Sequence, residues 1–517
     1  LPQSQGLAMA DRHAGKSRVT ITAISDGASM EGEARESFAA IPGLAKQGKL
    51  APFVMIISDN NTKLTGRIDK ESFSMTPTFE ALSTLGWKLI QLEDGHDLKS
   101  CLNVISNAIE EARNNPTQPV AIHAKTIKGI GTKKTAESSS GGHGFPLKSP
   151  TELTEFITEI YDGQKFPELF QNWIAEMIEQ EKKAKAQPAP KSADEKIQTG
   201  ISSAMTKARK NGLPIVSITS DLPGSTGVAG FRKEFPGDSF DVGVAESNMV
   251  SVAAGFSKMG FIPVVDTFAQ FGVTKGALPI TMANLSDAPM ICVYSHTGFQ
   301  DAADGASHQA LSYLAMANSI PNCQTYCLTC SEEADVLMTQ AIEEFASARK
   351  KGEHPKSYIF FLGRENFPKK YSENASYQLN KAQVVHDTSS GKQKSISIFA
   401  SGSMLVHALE GAKQIESLGF GCIVVNPGPH NQLDTSTILN SIEKTNGNFI
   451  VVEDHQEIGG FGQTICAEVF KKTNSKKVRS LAVKGEFGQS AYNAIDLYKK
   501  HRIDASAIMQ NAREILA

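Results

Sequence analysis

Apolar residues along this chain alternate between short, β-branched-rich runs that suit buried strands and longer stretches with helical spacing. In the first third, Arg18–Ile24, Phe53–Ser58, Trp87–Leu92 and Pro119–Lys125 read as strands. Between them, a stretch from about Glu31, then Pro77–Leu85 and Leu98–Arg113, read as helices. This order predicts a parallel sheet covered by helices. A charged helical stretch, Trp173–Lys185, runs into Ala186-Gln-Pro-Ala-Pro-Lys-Ser192, whose prolines and small residues mark a linker. The pattern then restarts with a helix near Asp194–Lys210, strands Ile215–Thr219, Ile262–Thr267, Met290–Tyr294 and Ser357–Phe361, and helical runs Ser247–Met259 and Glu332–Ala348. After the polar stretch Lys369–Lys394 comes a third set: strand Ile396–Ala400, helix Met404–Leu418, and strands Cys422–Asn426 and Asn448–Glu453. The predicted fold class is α/β, three tandem domains with mainly parallel sheets over 1–185, 194–372 and 373–517, with 186–193 as linker.

Composition narrows the partners. The 517 residues are 40% apolar and 21% charged, enough for about three cores, and the net charge of −3 leaves no footprint for nucleic acid or an anionic membrane. No run is long enough to span a bilayer. Seven scattered cysteines fit reduced thiols in a cytoplasmic compartment. Cys323, Cys327 and Cys330 share a spacing also used to hold iron–sulfur clusters, but Cys323-Gln-Thr-Tyr-Cys327-Leu reads better as a buried strand followed by a turn.

Candidate chemistry gathers at strand ends. The first strand runs into Ser25-Asp26-Gly27 and a helix start near Glu31; the next ends in Ser58-Asp59-Asn60-Asn61. In a parallel sheet both tips lie at the carboxyl edge, where ligands bind and where a helix N-terminus offers N–H groups to phosphate. The Asp26 carboxylate, the Asn60 amide oxygen and a backbone carbonyl near Thr62 are hard oxygen ligands suited to Mg²⁺ or Ca²⁺ on a diphosphate.

Asp26-Gly27 followed by Asn60 resembles the thiamine-diphosphate fingerprint, with Ser25 in place of its first glycine and extra residues near Pro42–Leu50. Further landmarks complete the family order: Gln5-Gly6-Leu7 before this motif, and after it His143-Gly144-Phe145-Pro146-Leu147, Ala245-Glu246-Ser247-Asn248-Met249, Thr267-Phe268-Ala269-Gln270-Phe271, Ser295-His296, Asp304-Gly305-Ala306-Ser307-His308-Gln309, Gly363-Arg364 and Val452-Glu453-Asp454-His455. Together they resemble transketolase over nearly the whole length. The resemblance implies a diphosphate-binding domain, a pyrimidine-binding domain and a transketolase C-terminal domain. It also implies thiamine diphosphate with Mg²⁺ (Ca²⁺ an alternative) and reversible transfer of a two-carbon ketol unit between sugar phosphates. A cytoplasmic homodimer with interfacial sites, serving the pentose phosphate pathway, is further implied.

On that resemblance, Glu246 activates the aminopyrimidine of the cofactor, leading to a carbanion that the cofactor stabilises, and Glu31 is its acidic partner at the dimer contact. Phe268 and Phe271 pack on the pyrimidine ring, with Thr274 where a third aromatic is common. His143, His296 and His308 line the substrate channel, His143 and His308 moving protons and His143 also touching the cofactor. Asp304 holds a substrate hydroxyl, and Arg364 and Ser225 hold its phosphate. At the start of the second domain, Gly200 takes the place expected for another phosphate-binding arginine, which implies an acceptor that is either bound weakly or not a standard sugar phosphate; for an ordinary sugar phosphate, Gly200→Arg is expected to be tolerated in a helix and to restore that interaction. Leu1–Leu7 resembles a Gly-Gln-Gly-type loop that the family places after a substantial segment. That segment is expected to be a missing piece of an ordinary enzyme; a separate polypeptide that supplies it and a degenerate relative that lacks it are the two alternatives. Other thiamine-diphosphate chemistry (1-deoxyxylulose-5-phosphate synthesis, 2-oxoacid decarboxylation) and a non-catalytic paralogue remain the alternative functions.

Overall fold

A computed structural model describes all residues except 144–146, 148, 187–193, 374 and 473–476. It divides into two compact units, residues 1–192 with 241–245, and residues 193–240 with 246–517. The predicted linker lies almost wholly outside the described residues.

In the first unit, β1 (Thr20–Ser25), β2 (Phe53–Asp59), β3 (Lys88–Leu92) and β4 (Val120–Lys125) form an all-parallel sheet of order β1-β2-β4-β3. The two-residue period of β2 sends Phe53, Met55 and Ile57 into one apolar cluster with Phe38, Ile41 and Trp87, and Val54 into another with Ile122, Ala108 and Ala112. Each large buried side chain contributes about 1.5–3 kcal/mol, so helices are needed on both faces. Leu1–Leu7 is not a loop. Pro2 opens α1 (Pro2–His13), where a missing N–H costs nothing, and Ala8 is the residue by which the helix is buried. The extra residues after Pro42 extend α2 (Gly32–Lys46) and the turn that follows. The stretch Pro77–Leu85 forms two short helices, the second stopped by Gly86 at φ 107°. Helix α3 (Leu98–Asn114) is capped by Asp97, which accepts from Ser100 N–H. Two further helices, α4 (Pro150–Ile160) and α5 (Glu168–Ala186), pack Leu153, Ile157 and Ile174 together.

The second unit opens on β5 (Glu195–Lys196), and only then does α6 (Gln198–Lys210) begin. Its main strands are β6 (Ile215–Thr219), β7 (Ser239–Asp241), β8 (Ile262–Phe268), β9 (Ile291–Ser295), β10 (Cys323–Cys327) and β11 (Ser357–Leu362), in the order β10-β11-β9-β8-β6-β7. Strand β12 (Asn366–Phe367) pairs antiparallel with β5 and so pulls Glu195–Lys196 out of the helix expected from Asp194 onward. Between strands run α7 (Pro223–Thr226), α8 (Glu246–Lys258), α9 (Ala269–Leu285) and α10 (Ser331–Lys350). The remaining strands, β13 (Gln383–Asp387), β14 (Ser395–Ala400), β15 (Gly421–Asn426), β16 (Asn448–Gln456) and β17 (Lys477–Val483), form a five-stranded sheet in which only β13 runs antiparallel.

Cys323, Cys327 and Cys330 are buried free thiols, as a core strand and its following turn require. Cys327 meets the Tyr313 hydroxyl and Cys330 that of Tyr377, and burial raises all three above ordinary thiol pKa values. Gly200 is a correction. It faces α10, where an added Cβ would lie 2.1 Å from the Ser331 carbonyl oxygen and 2.7 Å from the Asp335 nitrogen. It therefore has no room for an arginine, because its helical position brings it against the backbone of α10.

Candidate active site

The first unit gathers its candidate ligands as the sheet order requires. Asp26 follows β1 and Asn60 follows the neighbouring β2, so their backbones meet at the carboxyl edge. One Asp26 carboxylate oxygen accepts from Gly27 N–H at 2.9 Å; the other accepts from Asn60 and Asn61 N–H at 2.9 and 2.5 Å. Burial nevertheless raises its pKa, and the neighbouring Asp59 charge adds to the rise. Asn60 Oδ1 is buried and receives no hydrogen bond, an uncompensated acceptor that a hard cation would satisfy. Thr62 Oγ1 donates to the Asn60 carbonyl and accepts from Arg67. The oxygen-only donor set and the orphaned Asn60 oxygen fit a divalent ion carrying a diphosphate.

Around these ligands the edge is acidic. A cavity of 210 Å³ is lined by Asp26, Asp59, Asn61, Asp69 and Lys125 among others. Burial would raise the Asp59 pKa, but hydrogen bonds from His123 and Lys125 outweigh it and hold the carboxylate down at about 2. Glu31 is the half-buried N-cap of α2. His143 is exposed in a turn, and Gly144, Phe145 and Pro146 of its motif lie outside the described residues.

Strands of the second unit deliver a second group to one edge. Phe268 ends β8, His296 follows β9, Gly363-Arg364 follow β11, and Ser225 sits in α7 after β6. The Phe268 and Phe271 rings stack with centroids 6.2 Å apart; His296 lies 4.0 Å from Phe268, and His308 lies 5.2 Å from Phe271. Thr274 bonds back to the Gln270 carbonyl on the helix surface. His296 sits at φ 63°, its Nδ1 2.8 Å from the Ser295 hydroxyl. Burial, then the charges of Arg364, Lys196 and His308, depress its pKa to about 3, so its imidazole is neutral at physiological pH.

Sequence reasoning missed several members of this cluster. Arg364 is tied by Nη1 to Asp301 at 2.7 Å, whereas Asp304 is exposed beside it. Burial, with the nearby Asp304 charge, lifts Asp301 to about 6 against the pull of Arg364. Asp301 stands three residues before Asp304, and its tie to Arg364 is visible only in the fold. Gln198, rather than Gly200, stands at the Arg364 loop: its Nε2 donates to the Gly363 carbonyl at 2.9 Å and the Ser225 carbonyl at 3.2 Å. Lys196 donates to the Arg364 carbonyl.

Glu246 is buried in the first turn of α8, where the helix dipole favours a carboxylate. Beside it Tyr294 fills the space over Gly272, where an added Cβ would come within 2.7 Å of the ring. Burial raises the Tyr294 pKa far above its ordinary value, and the Glu246 charge contributes.

Sequence and structure comparisons identify the family and the fold. The transketolase thiamine diphosphate-binding domain matches residues 8–209, the pyrimidine-binding domain matches 195–368 and the C-terminal domain matches 387–508. Transketolase-like protein 2 of Homo sapiens is 29% identical over 479 residues, covering 89% of this chain and 71% of that protein. Transketolase of Mus musculus is 29% identical over 440 residues, covering 83% of this chain, which spans just under two thirds (66%) of the mouse protein. In fold, the structure resembles Campylobacter jejuni transketolase at TM-score 0.51 and 19% identity, over 99% of this chain and 80% of that one. It also resembles a split-gene transketolase described as an inactive β4 tetramer, at TM-score 0.51 and 24% identity, over 63% of this chain and 99% of that one. Three domain models in family order, on three mainly parallel sheets, show that the chain belongs to the transketolase family.

Proposed function

We propose that this chain works as a transketolase, moving a two-carbon ketol unit from a ketose phosphate to an aldose phosphate. The observation that carries the reading is the cluster of Phe268, Phe271, His296 and His308 at one sheet edge with Arg364 and Asp301. It pairs flat apolar walls with neutral imidazole and a guanidinium, as a polyhydroxylated phosphate ester requires. Thiamine diphosphate, when bound, supplies an acidic thiazolium carbon and an electron sink for carbon–carbon cleavage. Asp26, Asn60 and Thr62 would hold its diphosphate through Mg²⁺, or Ca²⁺ in its place, with Gly27 close by. Glu246 would hold a proton at the pyrimidine, with Glu31 as its acidic partner in a homodimer, and Phe268 and Phe271 would wall the ring. His143 and His308 would carry protons to and from sugar oxygens, His296 would donate to one, Asp304 would bind a hydroxyl, and Ser225 and Arg364 would bind the phosphate.

The seven free cysteines support a reducing, cytoplasmic setting. Among the described residues no helix is long and apolar enough to cross a membrane. A separate N-terminal chain as partner is supported by the split-gene neighbour. The test is ketol transfer between xylulose 5-phosphate and ribose 5-phosphate by the intact protein with thiamine diphosphate and Mg²⁺. Cofactor-dependent transfer supports the reading. Pyruvate turnover without ketol transfer would move the protein to another thiamine-diphosphate chemistry, and no cofactor binding would make it a non-catalytic paralogue.

A further inference from the structure

Gly200 cannot carry a second phosphate-binding side chain, so the cleft needs another source of positive charge or binds phosphate with Arg364 alone. We propose that Lys196, on the short strand β5 ahead of α6, is that second cation, forming with Arg364 a subsite for a phosphate monoester. The inference rests on the substrate class proposed above. Pairing of Lys196 with Asn366 across β5 and β12 places the lysine beside the Gly363-Arg364 turn, and its ammonium donates to the Arg364 carbonyl. That bond uses one of three ammonium donors. Arg364 uses Nη1 on Asp301, and its side chain is 47% exposed, which leaves part of it open to a ligand.

The carboxylates nearby are Asp301, bound to Arg364, Asp304 beside it, and Glu365, whose side chain accepts from Ala494 N–H. At the His296 ring it is the cations that dominate: after burial, Arg364 and Lys196 are the largest causes of its depressed pKa. Gln198 gives a second, independent sign of a ligand. It is 7% exposed, its nitrogen is fixed by two carbonyls, and its Oε1 is buried with no donor. The amide cannot flip without setting its oxygen against both carbonyls, so it offers an acceptor. An unsatisfied acceptor on a residue bonded to the Gly363 carbonyl, one residue from Arg364, suits a ligand bearing a hydroxyl next to its phosphate, and phosphate alone would leave Oε1 unsatisfied.

The experiment is equilibrium binding to the intact protein of ribose 5-phosphate, free ribose and inorganic phosphate, which needs no turnover. Lys196→Gln removes one charge-assisted hydrogen bond and is expected to weaken ribose 5-phosphate and inorganic phosphate by about tenfold while leaving ribose unchanged. Gln198→Leu is expected to weaken ribose and ribose 5-phosphate alike. Thermal unfolding confirms that each variant is folded; should Lys196→Gln fail to fold, Lys196→Arg, which keeps the charge, is expected to retain phosphate affinity. If Arg364→Gln weakens ribose 5-phosphate while Lys196→Gln does not, Lys196 is only a surface lysine and the proposal is overturned. If inorganic phosphate binds in a Lys196-dependent way but ribose 5-phosphate gains nothing over it, the subsite stands and the sugar reading falls.

Discussion

Replacing Gly200 with alanine separates local helix propensity from packing, because the two predict opposite signs. Within α6, alanine gains about 0.8–1 kcal/mol over glycine if the position is free. Here the new Cβ would lie 2.1 Å from the Ser331 carbonyl oxygen, 2.7 Å from Asp335 N and 2.8 Å from Ala334 Cβ, and two of those three atoms are backbone. Neither can rotate away, so α6 and α10 must part by more than an ångström at a seam filled by Ile201, Ala204, Ala334 and Met338. Overpacking costs about 1–3 kcal/mol, and a backbone obstruction belongs at the upper end, leaving a net loss of about 1–2 kcal/mol after the propensity gain. That corresponds to a fall of a few degrees in the midpoint, at about 2–4 °C per kcal/mol. Gly255 is the control: it lies in α8 with nothing within 4 Å of an added Cβ, so Gly255→Ala is expected to stabilise or be neutral. Thermal unfolding by circular dichroism reads both. A Gly200→Ala protein that melts at or above wild type, with Gly255→Ala also raised, would show that the close approach does not exist and would reopen the case for an arginine there.

Asp26→Asn keeps the shape but removes the anionic oxygen, and is expected to weaken Mg²⁺-dependent thiamine diphosphate binding by at least tenfold in calorimetry; an unchanged titration would put the metal elsewhere. Glu246→Gln should fold and bind cofactor yet lose more than 99% of ketol transfer, roughly the 10²-fold or more of a lost acid–base group, and near-normal turnover at saturating cofactor would remove Glu246 from the chemistry. Stability should fall in acid because of His430 and His455, whose Nδ1 atoms donate to the carbonyls of Gly428 and Gln456 while Nε2 accepts from the Ser401 hydroxyl and the Leu314 N–H. Burial holds both at about 4, below the ordinary value of 6.5, so the unfolded chain binds more protons between those values: their contribution is complete above pH 6.5 and lost as pH falls toward 4. Melting midpoints measured from pH 7.5 to 4.5 should drop in the wild type and drop less steeply in His430→Gln, and parallel curves would refute the assignment.

Most of the fold was legible because buried parallel strands are apolar throughout: the Ile215–Thr219 and Phe53–Asp59 runs needed only their β-branched and aromatic residues to stand out. The two edge strands of the last sheet, β13 and β17, escaped for the same reason. Lys477–Val483 begins Lys-Val-Arg-Ser, partly exposed, and Gln383–Asp387 is likewise half-wet, so neither shows the signal of a core strand. Asp26, Asn60, Phe268, His296 and Arg364 were legible as candidates because each sits at or just beyond the end of a parallel strand, where short motifs and topology coincide. Gln198 and Lys196 were not, since their place depends on a two-residue pairing with Asn366–Phe367, and nothing in the local sequence marks Gln198 as the helix start. Gly200 was read by its place in the family motif, which says nothing of the face it takes on α6; packing against Ser331–Asp335 of α10 decides that face. Reading Gly200 as the seat of an absent arginine therefore had a chemical consequence: it made a packing glycine look like a missing phosphate ligand and hid Lys196, two residues ahead of the helix, as a candidate for the charge.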